Sequence, residues 1–251
     1  MNDEPDVQAA LSREATTEIV AYHDAQKLMD YVTCGTGSYL NFHKLMPSFQ
    51  YPEKLGVDLA SRLKSVVTHA VVTAESHIRT PENANTVLGA ADADLVSIVR
   101  GQIADPHLVA KAQQNRADDI RGCLSCNEQC WGRRGRDYWI SCLINPSVGH
   151  EDIWGGDRFS QASNPQSVLV IGGGPAGLEA ARVAAERGHR VTLAEAGPDL
   201  GGQFRLAGAQ PRRAQISDLI GWDYGLSQLL RRHSKDNTYL DAHDLAQVDV
   251  D

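Results

Sequence analysis

Between Ser167 and Glu195 the chain reads SVLVIGGGPAGLEAARVAAERGHRVTLAE. An apolar, β-branched run leads into glycines at 172, 174 and 177. An alanine-rich stretch follows, and then a second apolar run that ends on an acidic residue 18 positions after the last glycine. This order predicts strand, tight turn, helix and parallel strand. Each glycine has a separate job. Gly172 allows the turn, Gly174 admits a pyrophosphate against the backbone, and Gly177 lets helix close on strand. Pro175 and Ala176 open the helix, whose positive end then faces the phosphates. The Glu195 carboxylate suits a ribose 2′-OH. The fingerprint recognises an ADP moiety, so it does not separate FAD from ADP.

A second feature is the window CLSCNEQCWGRRGRDYWISC, which holds Cys123, Cys126, Cys130 and Cys142; the fifth cysteine, Cys34, lies far upstream. The spacing is C-x2-C-x3-C-x11-C. Three closely spaced thiolates can wrap one corner of a cubane while a fourth closes the cage, as iron–sulfur clusters require. Structural zinc is the main rival, although its ligands usually come as two separated pairs. A window without metal is the third reading. Cys34 falls in an apolar run and reads as a buried apolar residue.

Three short apolar runs precede the window: residues 30–35 (DYVTCG), 69–74 (HAVVTA) and 93–99 (ADLVSIV). They read as buried parallel strands. Helical patterns precede and separate them: TTEIVAYHDAQKLM before the first, then DLASRLKSVV, and TPENANTVLGAA, where Thr80 caps and Pro81 takes the first helical position. DPHLVAKAQQNRADDIRG predicts one helix and a turn leading into the cysteines. The Gly-, Pro-, Asn- and Ser-rich stretch after Cys142 predicts a domain boundary near 160–166. The class is α/β. Its divisions are 1–115, 116–165 and 166–251.

The formal net charge of −8 over 251 residues argues against general nucleic-acid binding. No apolar run reaches the roughly 18 residues of a membrane span, and the first residues lack the pattern of a signal peptide. The expected location is cytoplasmic, without nucleic-acid or membrane partners.

RADDIRGCLSCNEQC followed by SCLINPSVGHE resembles the junction in the iron–sulfur flavoproteins of the old yellow enzyme family, which include trimethylamine dehydrogenase, dimethylglycine demethylase and 2,4-dienoyl-CoA reductase. The resemblance implies the C-terminal part of an FMN-binding TIM (β/α)8 barrel, then a 4Fe–4S loop, then the start of a Rossmann-like FAD/NAD(P)-binding domain. It implies that Arg100 contacts the FMN phosphate, with backbone from Val99 and Gly101 and from the loop around His77 to Arg79. It also implies that Gly201, Gly202 and Gln203 lie near the pyrophosphate of FAD or ADP. Trp131, Tyr138 and Trp139 either build a cation-binding cage or pack over the cluster. Arg133, Arg134 and Arg136 read as a solvated face and His150 as structural.

The early barrel strands, with much of the flavin-ring contact and the catalytic Tyr/His pair of that family, have no counterpart before the window. The expectation is therefore an internal piece of a longer oxidoreductase. Oxidative N-demethylation of a small methylated amine is the favoured reaction, with an electron-transfer flavoprotein and a homo-oligomer as candidate partners. NAD(P)H-driven reduction of an enoyl or dienoyl substrate is the alternative. A non-catalytic module binding cluster and nucleotide is a further one.

Overall fold

The computed structural model describes residues 11–33, 35–154, 159–230, 234 and 235. The expectation for Cys34 lies outside the described residues. The chain divides into two compact units, one of residues 1–114 with 125–127, the other of 115–124 with 128–251. Three residues of the cysteine window thus belong to the first unit, although they follow its main body in sequence.

In the first unit, β1 (Tyr31–Thr33), β2 (Val71–Ala74) and β3 (Leu95–Val96) form a parallel sheet in that order. Thr33 is level with Thr73, and Thr73 with Leu95. The helices are α1 (Arg13–Ala25), α2 (Phe42–Leu45), α3 (Val57–Lys64), α4 (Pro81–Gly89), α5 (Val99–Ala104) and α6 (Leu108–Gln113). Leu59, Leu63, Val72, Ala74, Ile78 and Val87 make the core. Each fully buried leucine or valine contributes about 1.5–3 kcal/mol. Thr80 caps α4 by accepting from the Asn83 N–H, with Pro81 at the first position, as the sequence predicts.

The third expected strand is shorter than its apolar run. β3 stops at Val96, and Val99, Arg100 and Gly101 already begin α5. The expected single helix after Asp105 is likewise α6 plus a separate 3₁₀ turn at Ala117–Asp119. Asn115, at φ 57°, breaks it there; asparagine tolerates the left-handed region.

In the second unit, β4 (Ser167–Ile171), β5 (Arg190–Ala194) and β6 (Ser234–Lys235) form another parallel sheet, in that order. The helices are α7 (Trp131–Arg134), α8 (Glu151–Trp154), α9 (Pro175–Glu186), α10 (Gln203–Gly208) and α11 (Ala214–Leu230). Leu178 of α9 packs with Leu193 and Leu200, and Ala181 with Val191. Arg182 is buried on α9, with its charge balanced by Glu179 and Glu186 at 2.7 Å. Among the described residues no helix is long and apolar enough to cross a membrane.

A buried carboxylate fixes the entry to β2. Asp24, at the end of α1, accepts backbone N–H bonds from Thr68 (2.6 Å), His69 (3.1 Å) and Ala70 (2.7 Å), and a hydroxyl bond from Thr68. These donors favour the charged form and hold its pKa at about 2, below the ordinary 3.8. Such a group stabilises the fold fully above about pH 4, its unfolded pKa. The contribution is lost as pH falls through the folded value. Asp24→Asn should therefore lower the melting temperature by several degrees at neutral pH. The gap from the parent should close toward pH 2 in melts followed by circular dichroism.

Candidate functional site

In the second unit the glycine-rich turn is built between β4 and α9. Gly172 has φ 100°, which favours glycine, and its N–H donates to Ala194 O at 2.8 Å. That bond ties the turn to the end of β5. At Gly177 an added Cβ would sit 1.9 Å from Gly172 O, whereas at Gly174 it would meet nothing within 4 Å. Gly177 is thus demanded by the close approach of helix to turn, and Gly174 leaves open space above the backbone. Pro175 and Ala176 take the first helical positions of α9.

Glu195 follows β5 directly. Its Oε2 accepts from the Gly173 N–H and its Oε1 from the Gly197 N–H, both at 2.7 Å. The Gly197 and Gly173 donors hold its carboxyl below the usual carboxylate range, so it is ionised at neutral pH. Each oxygen keeps a further lone pair for a ligand hydroxyl.

The Gly201–Gln203 turn reaches the same place. Gly201, at φ 107°, donates to Gly173 O at 2.7 Å, and a Cβ on Gly202 would lie 3.3 Å from the Cα of Gly174. Gln203 opens α10 and is exposed. Thus the fingerprint glycines, Glu195 and the Gly-Gly-Gln turn converge on one glycine loop.

The cysteines divide between the units. Cys123, Cys130 and Cys142 lie in the second, Cys126 in the first. Within the second unit the long loop between the last two is closed by Gln129 and Ser141. The Ser141 N–H donates to Gln129 O at 3.1 Å, and their side chains meet at 3.2 Å. Burial pushes the Cys142 thiol up; backbone bonds from Ile144 and Asn145 pull it down, and the sulfurs of Cys123 and Cys130 raise it further. Among the described residues, no three His, Cys, Asp or Glu side chains gather around a single ion position. Between Cys130 and Cys142, the Arg133 guanidinium stacks over Tyr138 (5.5 Å) and Trp139 (5.0 Å), and Arg134 faces Asp137 at 3.6 Å. His150 packs edge-on to Trp139 and against Trp154.

In the first unit Arg100 is partly buried. Its Nη1 donates to Pro47 O (2.8 Å) and to Asn127 Oδ1 (2.6 Å). Val99 is exposed; Gly101 is buried, because a Cβ there would come within 2.5 Å of Ile98 and 3.0 Å of Arg79 O. The close approach at Gly101 is thus to the protein's own chain. Ser76 and His77 both have positive φ, at 76° and 63°. The buried His77 ring has Nδ1 at 3.0 Å from Pro52 O and Nε2 at 2.8 Å from Ser125 Oγ. A carbonyl only accepts, so Nδ1 carries the proton and Nε2 accepts from Ser125. Burial lowers the pKa of this histidine, the Pro52 bond opposes that, and the Arg100 charge lowers it again.

Reading by residue type passes over Ser125 and Asn127. Their only signal is that polar residues able to bond or to turn the backbone flank Cys126 in CLSCN.

The chain is similar to known flavin enzymes along most of its length. Residues 167–241 match the family model described as FAD dependent oxidoreductase. An N,N-dimethylglycine/sarcosine dehydrogenase of Chromohalobacter salexigens is 37% identical over 216 residues, which is 84% of this chain and 31% of that protein. An NADH oxidase of Thermoanaerobacter brockii is 38% identical over 187 residues, 74% of this chain and 28% of the other. A solved 2-naphthoyl-CoA reductase complex superposes on the whole chain with a TM-score of 0.89 at 26% identity, using 38% of that structure. The chain therefore spans about a third of the length of the curated relatives it matches. By class the chain resembles α/β flavin-dependent oxidoreductases. Within that class the proteins it is similar to include a dimethylamine dehydrogenase, a probable N-methylproline demethylase and a multifunctional alkene reductase/demethylase OYE.

The two glycines separate folding from binding. Gly177→Ala should lower both thermal stability and ADP affinity, since turn and helix must part. Gly174→Ala should melt like the parent, yet bind ADP weaker by about tenfold or more, some 1.4 kcal/mol. Calorimetric titration beside a melting curve reads both.

Proposed function

We propose that this chain is part of an iron–sulfur flavoprotein that oxidatively N-demethylates a small methylated amine of the dimethylglycine type. The observation that carries the reading is the 37% identity to a dimethylglycine/sarcosine dehydrogenase over 84% of the chain. In this reading the β1–β3 sheet belongs to the C-terminal part of an FMN-binding (β/α)8 barrel, within 1–115. The strands pair in sequence order, as barrel strands do. Residues 116–165 carry a 4Fe–4S cluster and linker, and 166–251 begin a doubly wound nucleotide-binding domain. The order β4-β5-β6 fits one half of such a sheet.

When bound, flavin and cluster supply hydride uptake and one-electron transfer respectively. The chain's own residues hold them. Arg100, with its second guanidinium edge, grips the FMN phosphate beside Val99 and Gly101. Gly172, Gly174, Pro175, Ala176 and Gly177, with Gly202 and Gln203, receive the pyrophosphate of FAD or ADP, and Glu195 accepts from the ribose hydroxyls.

Cys123, Cys126, Cys130 and Cys142 bind the cluster. One feature supports a cluster over zinc: the spacing is a tight triplet plus one. The backbone bonds to Cys142 also fit, since hydrogen bonds to the ligand sulfurs tune such clusters. Metal would displace the Cys142 proton.

A second reading is NAD(P)H-driven reduction of an enoyl or dienoyl acceptor. The contact of the Gly-Gly-Gln turn with Gly173 and the likeness to an NADH oxidase and a CoA-ester reductase favour it. A binding module without turnover is the third. Steady-state assays of the intact enzyme on dimethylglycine, and of NADH oxidation with an enoyl acceptor, separate all three.

Anaerobic reconstitution should yield about four irons and four sulfides per chain, and Cys126→Ser should not assemble the cluster. Stoichiometric zinc without sulfide would sink this assignment. Separately, ADP should bind better than its 2′-phosphorylated analogue, because Glu195 repels a 2′-phosphate, and Glu195→Ala should erase the preference.

A further inference from the structure

We propose that Asn127 couples the phosphate site at Arg100 to the cluster ligand Cys126, so that loading one strengthens the other. The inference rests on the reading of those two sites given above. Its basis is a continuous set of hydrogen bonds inside the first unit.

The Arg100 guanidinium has two edges. Nη1 is committed to Pro47 O and Asn127 Oδ1, while Nε and Nη2 make no hydrogen bond or ion pair among the described residues. One edge is thus held by protein and the other is left in the fork geometry that suits phosphate. The amide of Asn127 is used at both ends, since Nδ2 donates to Met46 O at 2.7 Å. On the other side of Cys126, Ser125 O accepts from Phe49 N–H at 3.0 Å, and its hydroxyl meets His77 Nε2 at 2.8 Å. Ser125 and Asn127 both hold left-handed backbone, at φ 54° and 58°.

Cys126 therefore sits between two anchored residues and cannot shift without disturbing Asn127. A displaced Asn127 removes one of the two bonds that hold Nη1 and loosens the arginine fork. The same bonds act in reverse, because a guanidinium fixed by phosphate fixes Asn127 and the loop. Coupling of this kind is reciprocal and typically about 5- to 150-fold in affinity. Asn127 and Ser125 are positioning residues; neither needs to touch flavin or iron.

The test uses the full chain in two forms, cluster-reconstituted and chelator-stripped. FMN binding is followed by flavin fluorescence, with riboflavin, which lacks the phosphate, as control. Cluster loading should tighten FMN binding by about fivefold or more and leave riboflavin unchanged. Asn127→Ala should abolish the difference and hasten iron loss to chelator. Asn127→Asp keeps the acceptor facing Arg100 and should retain part of it. Asn127→Gly keeps the left-handed backbone without the amide, so it should behave as Asn127→Ala while folding like the parent. Equal FMN affinity in the two parental forms, or coupling that survives in Asn127→Gly, would overturn the inference. A parent that assembles the cluster but binds no FMN overturns the phosphate reading and the coupling with it. A parent that assembles no cluster overturns the cluster reading instead.

Discussion

The seating of Ser125 and Asn127 against the loops after the strands is the interaction on which the arrangement of the candidate sites turns. Through it, residues 125–127 belong to the unit that carries Arg100 and His77. The cost is two non-glycine residues in the left-handed region, which is sparsely populated for such residues. That strain is offset by bonds that are buried or partly buried, where an unmade bond would cost about 1–3 kcal/mol. Neutral His77 belongs to the same balance. Its proton lies on Nδ1 because Pro52 O can only accept, and this leaves Nε2 to receive the Ser125 hydroxyl.

The second unit solves a similar problem with a carboxylate. The turn after β4 exposes backbone N–H groups, and Glu195 takes that of Gly173 while also holding Gly197. The residue expected to read a ribose therefore also shapes the loop that would receive the phosphates. Loss of its charge would loosen both. Arg182 serves the framework instead, as a buried cation neutralised within α9 by Glu179 and Glu186. Its guanidinium also lies 5.7 Å from the Phe159 ring and 5.8 Å from that of Trp222.

Much of this was legible where one residue type has one physical use. The glycine spacing predicted strand, turn and helix because no other residue fits Gly177, where a Cβ would strike Gly172 O. Thr80-Pro81 marked the start of α4 for an equally local reason. The third strand ends before its apolar run does, since an apolar run does not say where β3 yields to α5. Asp24, Ser125 and Asn127 were illegible for a deeper reason. Their partners lie 27 to 81 positions away, and neither spacing nor composition records such pairs. At Gly101 the expectation was backbone beside a phosphate; the structure adds that a Cβ there would meet Ile98 and Arg79 O.

The aromatic loop between Cys130 and Cys142 bears on substrate class. Cation–π attraction uses the face of a ring. One face each of Tyr138 and Trp139 already carries the Arg133 guanidinium, whose Nε also donates to Trp139 O at 3.0 Å. A substrate ammonium could use these rings only on their outer faces, next to a fixed positive charge that repels it. The same stacking holds the loop in shape while Gln129 and Ser141 close its base. Packing, rather than cation capture, is therefore the use that the geometry of Tyr138 and Trp139 supports. The amine reading stands on kinship to the demethylating dehydrogenases and not on these two rings.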